Sequence, residues 1–359
     1  MNVAKEMPEW LKGYYNRLWE RHKNESFTFQ TAMKELDISK KMITKTLLEL
    51  EKRGFLSKER SPIDYRAKVY RLISPEDVNF AVGLYSLVER EKIEKLTLMD
   101  KLVFIEDKLP YTITGSHAAY HYHNYLNPPK TVEIKIPLGD AGKWIAFLTD
   151  EKTRVFLGDV TETRKIGNYI KLIDGSRRAI DYIRTKTKEG YYIEKPEFLI
   201  IELLERQTQT SIIEVVAIIL TNRTSLPWSG PTGLPHLAKS WGVSRKLGFL
   251  LDAINLEARR KIINPRIIEL IKKDVEGKVD NIFPRDEVSL AKFRELRNKM
   301  AHGVLSTEKE RAEIERLKLQ FEGYKMLSEK WGMQIILPRS VIHKVLEDLG
   351  VKFGKTRSR

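Results

Sequence analysis

Apolar residues recur at helical spacing in three stretches of the first 75 residues. The first stretch has Trp10, Leu11, Tyr14, Leu18 and Trp19, the second has Phe29, Ala32, Met33 and Leu36, and the third has Ile43, Leu47 and Leu50. Steps of three and four residues place each set on one face of a helix. Ser39 is a favourable N-cap for the third helix, and Gly54 is favourable just beyond its end. Segments 55–58 and 68–72 then predict two strands around a turn rich in Ser, Pro and Asp.

This order of helix, short helix, turn, helix and two-stranded wing resembles the winged helix-turn-helix. The segment 43–56, which ends in LEKRGFL, is similar to the point where the recognition helix of many such regulators runs into the first wing strand. The resemblance implies that the first turns of the third helix read base pairs in the major groove of double-stranded DNA. The candidate DNA-binding residues are Lys40, Lys41, Thr44 and Lys45 in this helix and Arg60, Arg66 and Lys68 in the wing, on the DNA backbone or minor groove. The alternative is a winged helix that makes only protein contacts.

Helical and strand patterns alternate between residues 74 and 205. They predict helices at about 74–96 and 195–205, a strand at 111–114 that leads through Gly115 and Ser116 into a helix, and strands at 131–136, 144–148, 153–156 and 170–172. This order, with TGSHAA at 114–119 and KPEFL at 195–199, resembles the antitoxin-type regulators of abortive-infection systems, the AbiEi-like group. The resemblance implies a regulator of a defence or toxin–antitoxin locus.

Two metal-dependent alternatives arise in the same region. The strand and Gly-Ser turn also resemble nucleotidyltransferases, which hold magnesium with two carboxylates on the next strand. Here Glu133 is followed at the alternate position by Lys135, which would repel the metal, so nucleotidyl transfer is not expected. His117, His121 and His123 invite a zinc interpretation, but their motif contains no acidic residue and its neighbours favour an aromatic, partly buried helix. We therefore expect no metal and no other cofactor.

The last third of the chain is helical by its periodicity. After a loop rich in Pro and Gly at 224–235, helices are predicted at about 245–261, 264–276, 286–302 and 306–330, then a strand at 333–337, a helix at 339–349 and a basic tail from residue 352. Arg297, Asn298 and His302 stand near the end of the third of these helices, and the surrounding ELRNKMAHG resembles the HEPN superfamily.

The HEPN resemblance implies a homodimer and, in catalytic members, cleavage of RNA without a metal. His302 would then take a proton from a ribose 2′-hydroxyl or bind the phosphate, Arg297 would neutralise the phosphoryl oxygens, and Asn298 would orient the attacked group. The alternatives are a non-catalytic domain used for dimerisation or ligand binding, and a His302 that only caps the helix C-terminus before Gly303.

The charge balance adds a polyanionic partner to this picture. The 359 residues include 64 basic and 49 acidic side chains, for a net charge of +15, and residues 1–73 alone hold 16 basic and 10 acidic ones. No run approaches the roughly 18 to 20 apolar residues of a membrane span, and the N-terminus has no apolar signal core, so we expect a cytoplasmic protein that makes no membrane contact. Zero cysteines exclude disulfides and thiol catalysis, and five glutamines beside many lysines and glutamates are typical of thermophiles.

Together these patterns predict an α+β multidomain protein. The expected domains are a winged helix-turn-helix at 1–75, a mixed α/β domain at 76–223 and an all-helical HEPN-like domain at 224–359. The favoured function is a homodimeric, DNA-binding transcriptional regulator. Two alternatives stay open: a metal-independent ribonuclease whose partner is RNA, and a non-catalytic dimeric assembly protein.

Overall fold

A computed structural model describes most of the chain. The described residues are 7–23, 25–60, 68–86, 96–106, 108–124, 130–148, 154–158, 169–206, 208–273, 275, 295, 298–299, 308–332 and 339–353. Within them the fold is mixed α+β, with fifteen helices and two sheets. None of the helices in these ranges is long and apolar enough to cross a membrane.

The chain divides into two compact units. The first consists of residues 1–117 and 129–194, and the second of residues 118–128 and 195–359. The division is coarser than the three domains expected from the sequence, which stay a prediction.

The first unit begins with three helices and a small sheet. In chain order these elements are α1 (Glu9–His22), β1 (Ser26–Thr28), α2 (Phe29–Leu36), α3 (Lys40–Lys52), β2 (Leu56–Arg60) and β3 (Lys68–Leu72). The strands are antiparallel in the order β1-β3-β2. Leu11, Leu18, Ile43 and Leu50 are fully buried, so these members of the predicted apolar stripes form the core between the helices. Trp10 and Met33 were expected in the same stripes, but they are 40% and 38% exposed. The three helices and the hairpin are thereby confirmed, whereas β1 was not predicted.

A six-stranded sheet occupies the rest of the first unit. The elements that follow β3 are α4 (Pro75–Ser86), α5 (Leu98–Ile105), β4 (Thr112–Thr114), α6 (Gly115–His123), β5 (Thr131–Pro137), α7 (Ala141–Leu148), β6 (Arg154–Leu157), β7 (Tyr169–Gly175), α8 (Arg177–Ile183), β8 (Arg184–Lys186) and β9 (Tyr192–Glu194). The strand order is β6-β7-β5-β4-β9-β8. Strands β6, β7 and β5 are parallel, β4 is antiparallel to β5 and parallel to β9, and β8 is antiparallel to β9.

The two faces of this sheet differ in polarity. Alternate residues of a strand face opposite sides, and residues in register on neighbouring strands share a side. One side therefore carries Ile113, Ile134, Leu172 and Ile193, and the other carries Thr112, Thr114, Glu133, Lys135, Lys171 and Glu194. Buried charged groups must be paired to be tolerated, so the polar side demands ion pairs.

Helix α7 corrects one prediction. The segment Trp144–Leu148 was expected to be a strand, but it is the second half of α7. Trp144 is fully buried against Tyr111, with ring centroids 5.6 Å apart, and every residue from 144 to 148 except Ala146 is buried. A short apolar run that is buried on most sides has no polar face from which its period could be read.

Helix α4 packs against α7 within the first unit. A Cβ atom at Gly142 would lie 2.0 Å from Asp77 Oδ2, so the glycine allows this acidic side chain to approach the first turn of α7. Burial raises the pKa of the Asp77 carboxyl above its ordinary value of 3.8, although Lys143 opposes the shift. The N-terminal helices are joined to the same region, because the Tyr15 hydroxyl donates to the carbonyl of Ile73 at 2.9 Å, just before α4.

The second unit is helical. After α6 its elements are α9 (Pro196–Arg206), α10 (Gln209–Asn222), α11 (Leu234–Ser240), α12 (Ser244–Ala258), α13 (Pro265–Lys272), α14 (Glu308–Trp331) and α15 (Arg339–Asp348). Helix α12 is buried on most of its circumference, which is typical of a helix at the centre of a bundle. The helices predicted at 245–261, 264–276, 306–330 and 339–349 are confirmed with shifted ends. The helix predicted at 286–302 lies largely outside the described residues, and the strand predicted at 333–337 lies wholly outside them.

The end of α14 is anchored on α12 and α13. Trp331 is fully buried, and its Nε1 donates to Asp252 Oδ2 at 2.8 Å. Arg245 donates to the carbonyl of Trp331 and Lys272 donates to that of Lys330. Two cations therefore satisfy carbonyls that the helix C-terminus leaves without an intrahelical partner.

Candidate nucleic-acid interface

Helix α3 presents its outer face to solvent. Its buried residues Ile43, Thr46, Leu47 and Leu50 lie on one side. At about 100° per residue, the centre of the opposite side is formed by the exposed residues Lys41, Lys45, Leu48 and Lys52, with Lys40 and Thr44 on one flank. The four residues predicted from the sequence to read DNA in this helix are therefore all exposed and belong to its N-terminal half.

The start and the end of α3 are fixed by local chemistry. Asp37 adopts a left-handed backbone (φ 47°) that ends α2, a conformation that Asp tolerates better than most residues. Three residues later α3 begins, and the Ser39 hydroxyl oxygen accepts from the amide of Met42 at 3.4 Å. At the other end Gly54 has φ 81°, and the amide of Phe55 donates to the carbonyl of Leu50 at 3.0 Å. The short turn between α2 and α3 holds the basic N-terminal half of α3 at the surface.

The acidic residues of α3 are neutralised by other cations. Glu51 accepts from Lys58 of β2 at 2.6 Å, and Glu49 lies 3.6 Å from both Lys52 and Arg53. Within the described part of the chain, Lys40, Lys41 and Lys45 form no ion pair with a carboxylate. Among the described residues, the positive charge of the first two turns of α3 thus has no carboxylate partner, and these turns also carry the positive end of the helix dipole.

Helix α1 places aromatic rings beside this face. Lys45 Nζ lies 5.2 Å from the ring centroid of Trp10, which is 40% exposed. The rings of Trp10 and Tyr14 meet edge to face at 6.3 Å, and the guanidinium of Arg17 lies 5.6 Å from the Tyr14 ring. A cation over an aromatic face is attracted by about 0.5–1 kcal/mol at an exposed site. The contact of Trp10 with Lys45 was not predicted, because the spacing of Trp10 indicated only an inward apolar stripe.

The predicted wing residues are described in part. Lys68 is exposed, and its register partner across the β2–β3 hairpin is Arg60. The side chain of Arg60 and all of Arg66 lie outside the described residues. The structure thus places one of the three wing candidates at the surface.

Of the three residues predicted to cleave RNA, the structure describes Asn298 alone. Asn298 is helical and exposed, and Lys299 next to it lies 3.0 Å from Glu295, as expected for residues four apart on a helix. Arg297 and His302 lie outside the described residues. The arrangement of the three side chains therefore stays a prediction.

The three histidines of α6 differ in burial. His121 is exposed, His117 is intermediate and His123 is 6% exposed. Burial lowers the pKa of His123 from its ordinary 6.5 to about 4, so the ring is neutral at pH 7. Its ring lies edge to face with Tyr120 at 6.5 Å, and the predicted aromatic, partly buried helix is confirmed. The described residues contain no group of three His, Asp or Glu side chains that could hold a metal ion.

The polar side of the large sheet holds two buried ion pairs. Glu194, which is 2% exposed, accepts from the hydroxyl of Thr114 and from Lys135 Nζ at 3.0 Å. Glu133 lies 3.6 Å from Lys171. In the sequence Lys135 is a lysine in the place of a metal ligand, and the structure shows that this ammonium binds Glu194 on β9. Glu194 itself was not predicted, since it is 59 residues from Lys135.

These observations leave α3 and the adjacent surface of α1 as the strongest candidate interface. The surface is exposed, basic in its first turns and edged by aromatic rings, which are the features that bind nucleic-acid phosphates and bases. Comparison of the chain with protein-family models and with curated protein sequences gave no match.

Proposed function

We propose that residues 9–72 form a winged helix-turn-helix and that the protein is a DNA-binding transcriptional regulator. The observation that carries the proposal is the basic N-terminal half of α3, exposed next to a short turn and followed by the β2–β3 hairpin. Helix α3 has 13 residues, so it is about 20 Å long at 1.5 Å per residue. A helix of that length and width fits the major groove of B-DNA, which is about 12 Å wide.

The charge distribution supports duplex DNA as the ligand. Lys40, Lys41 and Lys45 have no carboxylate partner in the described part of the chain, so their ammonium groups can bind phosphate oxygens. The DNA releases condensed counterions when they do. Lys41 and Lys45 lie four residues apart on the exposed side of α3 and would meet phosphates along one groove. A homodimer would then bind two half-sites separated by about one helical turn, or 34–36 Å. The similarity of 114–119 and 195–199 to the AbiEi-like group supports a defence or toxin–antitoxin locus as the target.

The salt dependence of DNA binding tests this proposal. Affinity for a fluorescent 30-base-pair duplex is measured by anisotropy between 50 and 200 mM KCl for the wild type and for Lys41→Ala/Lys45→Ala. Each lost phosphate contact should reduce the slope of log K against log salt by about 0.9, so the double variant should lose about 1.8. The matched control is Lys261→Ala/Lys344→Ala, which removes two exposed lysines of the second unit and should leave the slope unchanged.

Two results would contradict the proposal. If the wild type shows no salt-sensitive affinity for duplex DNA, the proposed DNA-binding function is wrong. If the double variant keeps the wild-type affinity and salt slope, Lys41 and Lys45 of α3 do not contact the DNA.

A further inference from the structure

Leu48 is an apolar side chain at the centre of a basic surface. It is 45% exposed and lies midway along α3, four residues after Thr44 and three after Lys45. Its neighbours on the exposed side of the helix are Thr44, Lys45 and Lys52, together with Glu51, whose carboxylate is paired with Lys58. The buried stripe of α3 is on the other side. Leu48 is not among the buried residues of α3, so close to half of its apolar surface is available to a ligand.

Thr44 extends this apolar point into a strip. The Thr44 hydroxyl donates to the carbonyl of Lys40 at 2.9 Å, so its proton is used within the helix. What remains for a ligand is the methyl group and the oxygen lone pair of an exposed side chain. Thr44 and Leu48 are four residues apart and share a face, with Lys41 and Lys45 beside them.

The surrounding charges select the occupant of the strip. A second copy docking the same face across a two-fold axis would bring lysines against lysines, which is unfavourable. A polyanion is favoured instead, and the apolar group that DNA offers in its major groove is the C5-methyl of thymine. The long stems of the lysines let their ammonium groups reach the flanking phosphates while the strip of Thr44 and Leu48 faces the base edges.

We infer that Leu48, together with the methyl of Thr44, contacts thymine methyl groups and so gives the protein a preference for A·T pairs within each half-site. The inference rests on the proposed function, because it requires α3 to enter the major groove. Leu48 becomes a specificity-determining residue, whereas Lys41 and Lys45 supply affinity that depends on salt and little on sequence.

Removal of the thymine methyl groups tests the inference directly. Duplexes that the wild type retains from a random 40-base-pair library are sequenced, and the enriched duplex is made with thymine or with deoxyuridine throughout. The wild type should bind the deoxyuridine duplex about fourfold more weakly for each methyl contacted, which corresponds to ~0.8 kcal/mol per buried methyl group. Leu48→Ala should bind the two duplexes with a ratio closer to one, and its salt slope should equal that of the wild type.

Further variants separate this contact from a general effect on DNA binding or on assembly. Thr44→Ser keeps the hydroxyl and removes the methyl, so it should lower the thymine preference less than Leu48→Ala does. Leu270→Ala removes a leucine of the second unit that is 47% exposed, and it should keep the full wild-type ratio. The mass of each variant in solution is measured by sedimentation, and Leu48→Ala should keep the assembly state of the wild type.

The outcomes distinguish the inference from the function beneath it. A wild type that retains no duplex from the library overturns both. A wild type that binds thymine and deoxyuridine duplexes equally, or a Leu48→Ala variant that keeps the full thymine preference, overturns the inference and leaves DNA binding intact. A dimer that Leu48→Ala converts to monomer also overturns it, because Leu48 then belongs to an interface between copies.

Discussion

Gly248 offers a test of packing in which the sign of the effect depends on one neighbour. It lies inside α12 and faces Trp331, and a Cβ atom at this position would lie 2.1 Å from Cη2 and 2.3 Å from Cζ3 of the indole. The indole is fully buried and donates to Asp252, so it cannot retreat without losing that hydrogen bond. Lys272 Nζ lies 5.1 Å from the centroid of the same ring.

Two opposing free energies decide the outcome of Gly248→Ala. Alanine is favoured over glycine inside a helix by about 1 kcal/mol. Overpacking a buried contact costs about 1–3 kcal/mol, and a weakened hydrogen bond to Asp252 adds about 1 kcal/mol. We therefore expect Gly248→Ala to lower the free energy of unfolding by about 1–3 kcal/mol, despite the gain in helix propensity.

The neighbouring residue should reverse this sign. In a Trp331→Leu background the ring is gone, and Gly248→Ala should raise the free energy of unfolding by up to about 1 kcal/mol relative to Trp331→Leu alone. Gly13→Ala is the control, because a Cβ atom there meets nothing within 4 Å in the middle of α1, so it should stabilise in every background. Urea denaturation followed by far-ultraviolet circular dichroism measures each change, and the transition that Trp331→Leu shifts identifies the second unit. A Gly248→Ala variant as stable as the wild type would refute the packing argument.

Three further predictions concern the ion pairs, the buried histidine and the RNA-cleavage motif. In urea denaturation, Glu194→Leu should lower the free energy of unfolding by about 3 kcal/mol because Lys135 loses its buried carboxylate, and Glu194→Leu/Lys135→Met should recover part of that loss. A double variant no more stable than Glu194→Leu would count against a buried ion pair. Relative to His123→Leu, the wild type should lose up to about 1.4 kcal/mol of stability per pH unit as pH falls from 6.5 towards 4, because the unfolded imidazole binds the proton more tightly; parallel pH profiles would contradict this. The ribonuclease alternative predicts that the wild type cleaves RNA in excess EDTA and that His302→Ala does not, and RNA left intact by the wild type would exclude it.

Periodicity was sufficient where a helix has one buried side. The stripes of α1, α2 and α3 repeat every three or four residues, so their existence and their inward faces could be read from the chain. Strand β1 has three residues and a single buried one, Phe27, which is too little for any period. The prediction for α7 was wrong for another reason. The helix is buried on most sides, so its sequence lacks the polar positions that distinguish a helix from a strand.

The candidate site was predictable in its charges and not in its contacts. Lys41 and Lys45 follow from their spacing along α3. The exposure of Leu48 was not predicted, although its position about 160° around the helix axis from Leu50 places it on the outer side. The approach of Trp10 to Lys45 depends instead on how α1 packs against α3. Glu194 and Thr114 are separated by 80 residues, and their pairing depends on a strand order that no local pattern encodes.

The net charge of a protein shows where a polyanion can bind only when the partners of its individual cations are known. Lys135 and Lys171 are bound to buried carboxylates in the sheet, and Arg245 and Lys272 are bound to carbonyls at the end of α14. These cations count toward the total of +15, yet their charge is already engaged within the fold. On α3 the arrangement is reversed, because the glutamates near the end of the helix have cationic partners while the lysines of its first turns have no carboxylate partner among the described residues. A polyanion that approaches these first turns meets cations that the described fold has not engaged. A loss of DNA affinity should therefore follow the removal of α3 lysines rather than the removal of an equal charge at Lys261 and Lys344.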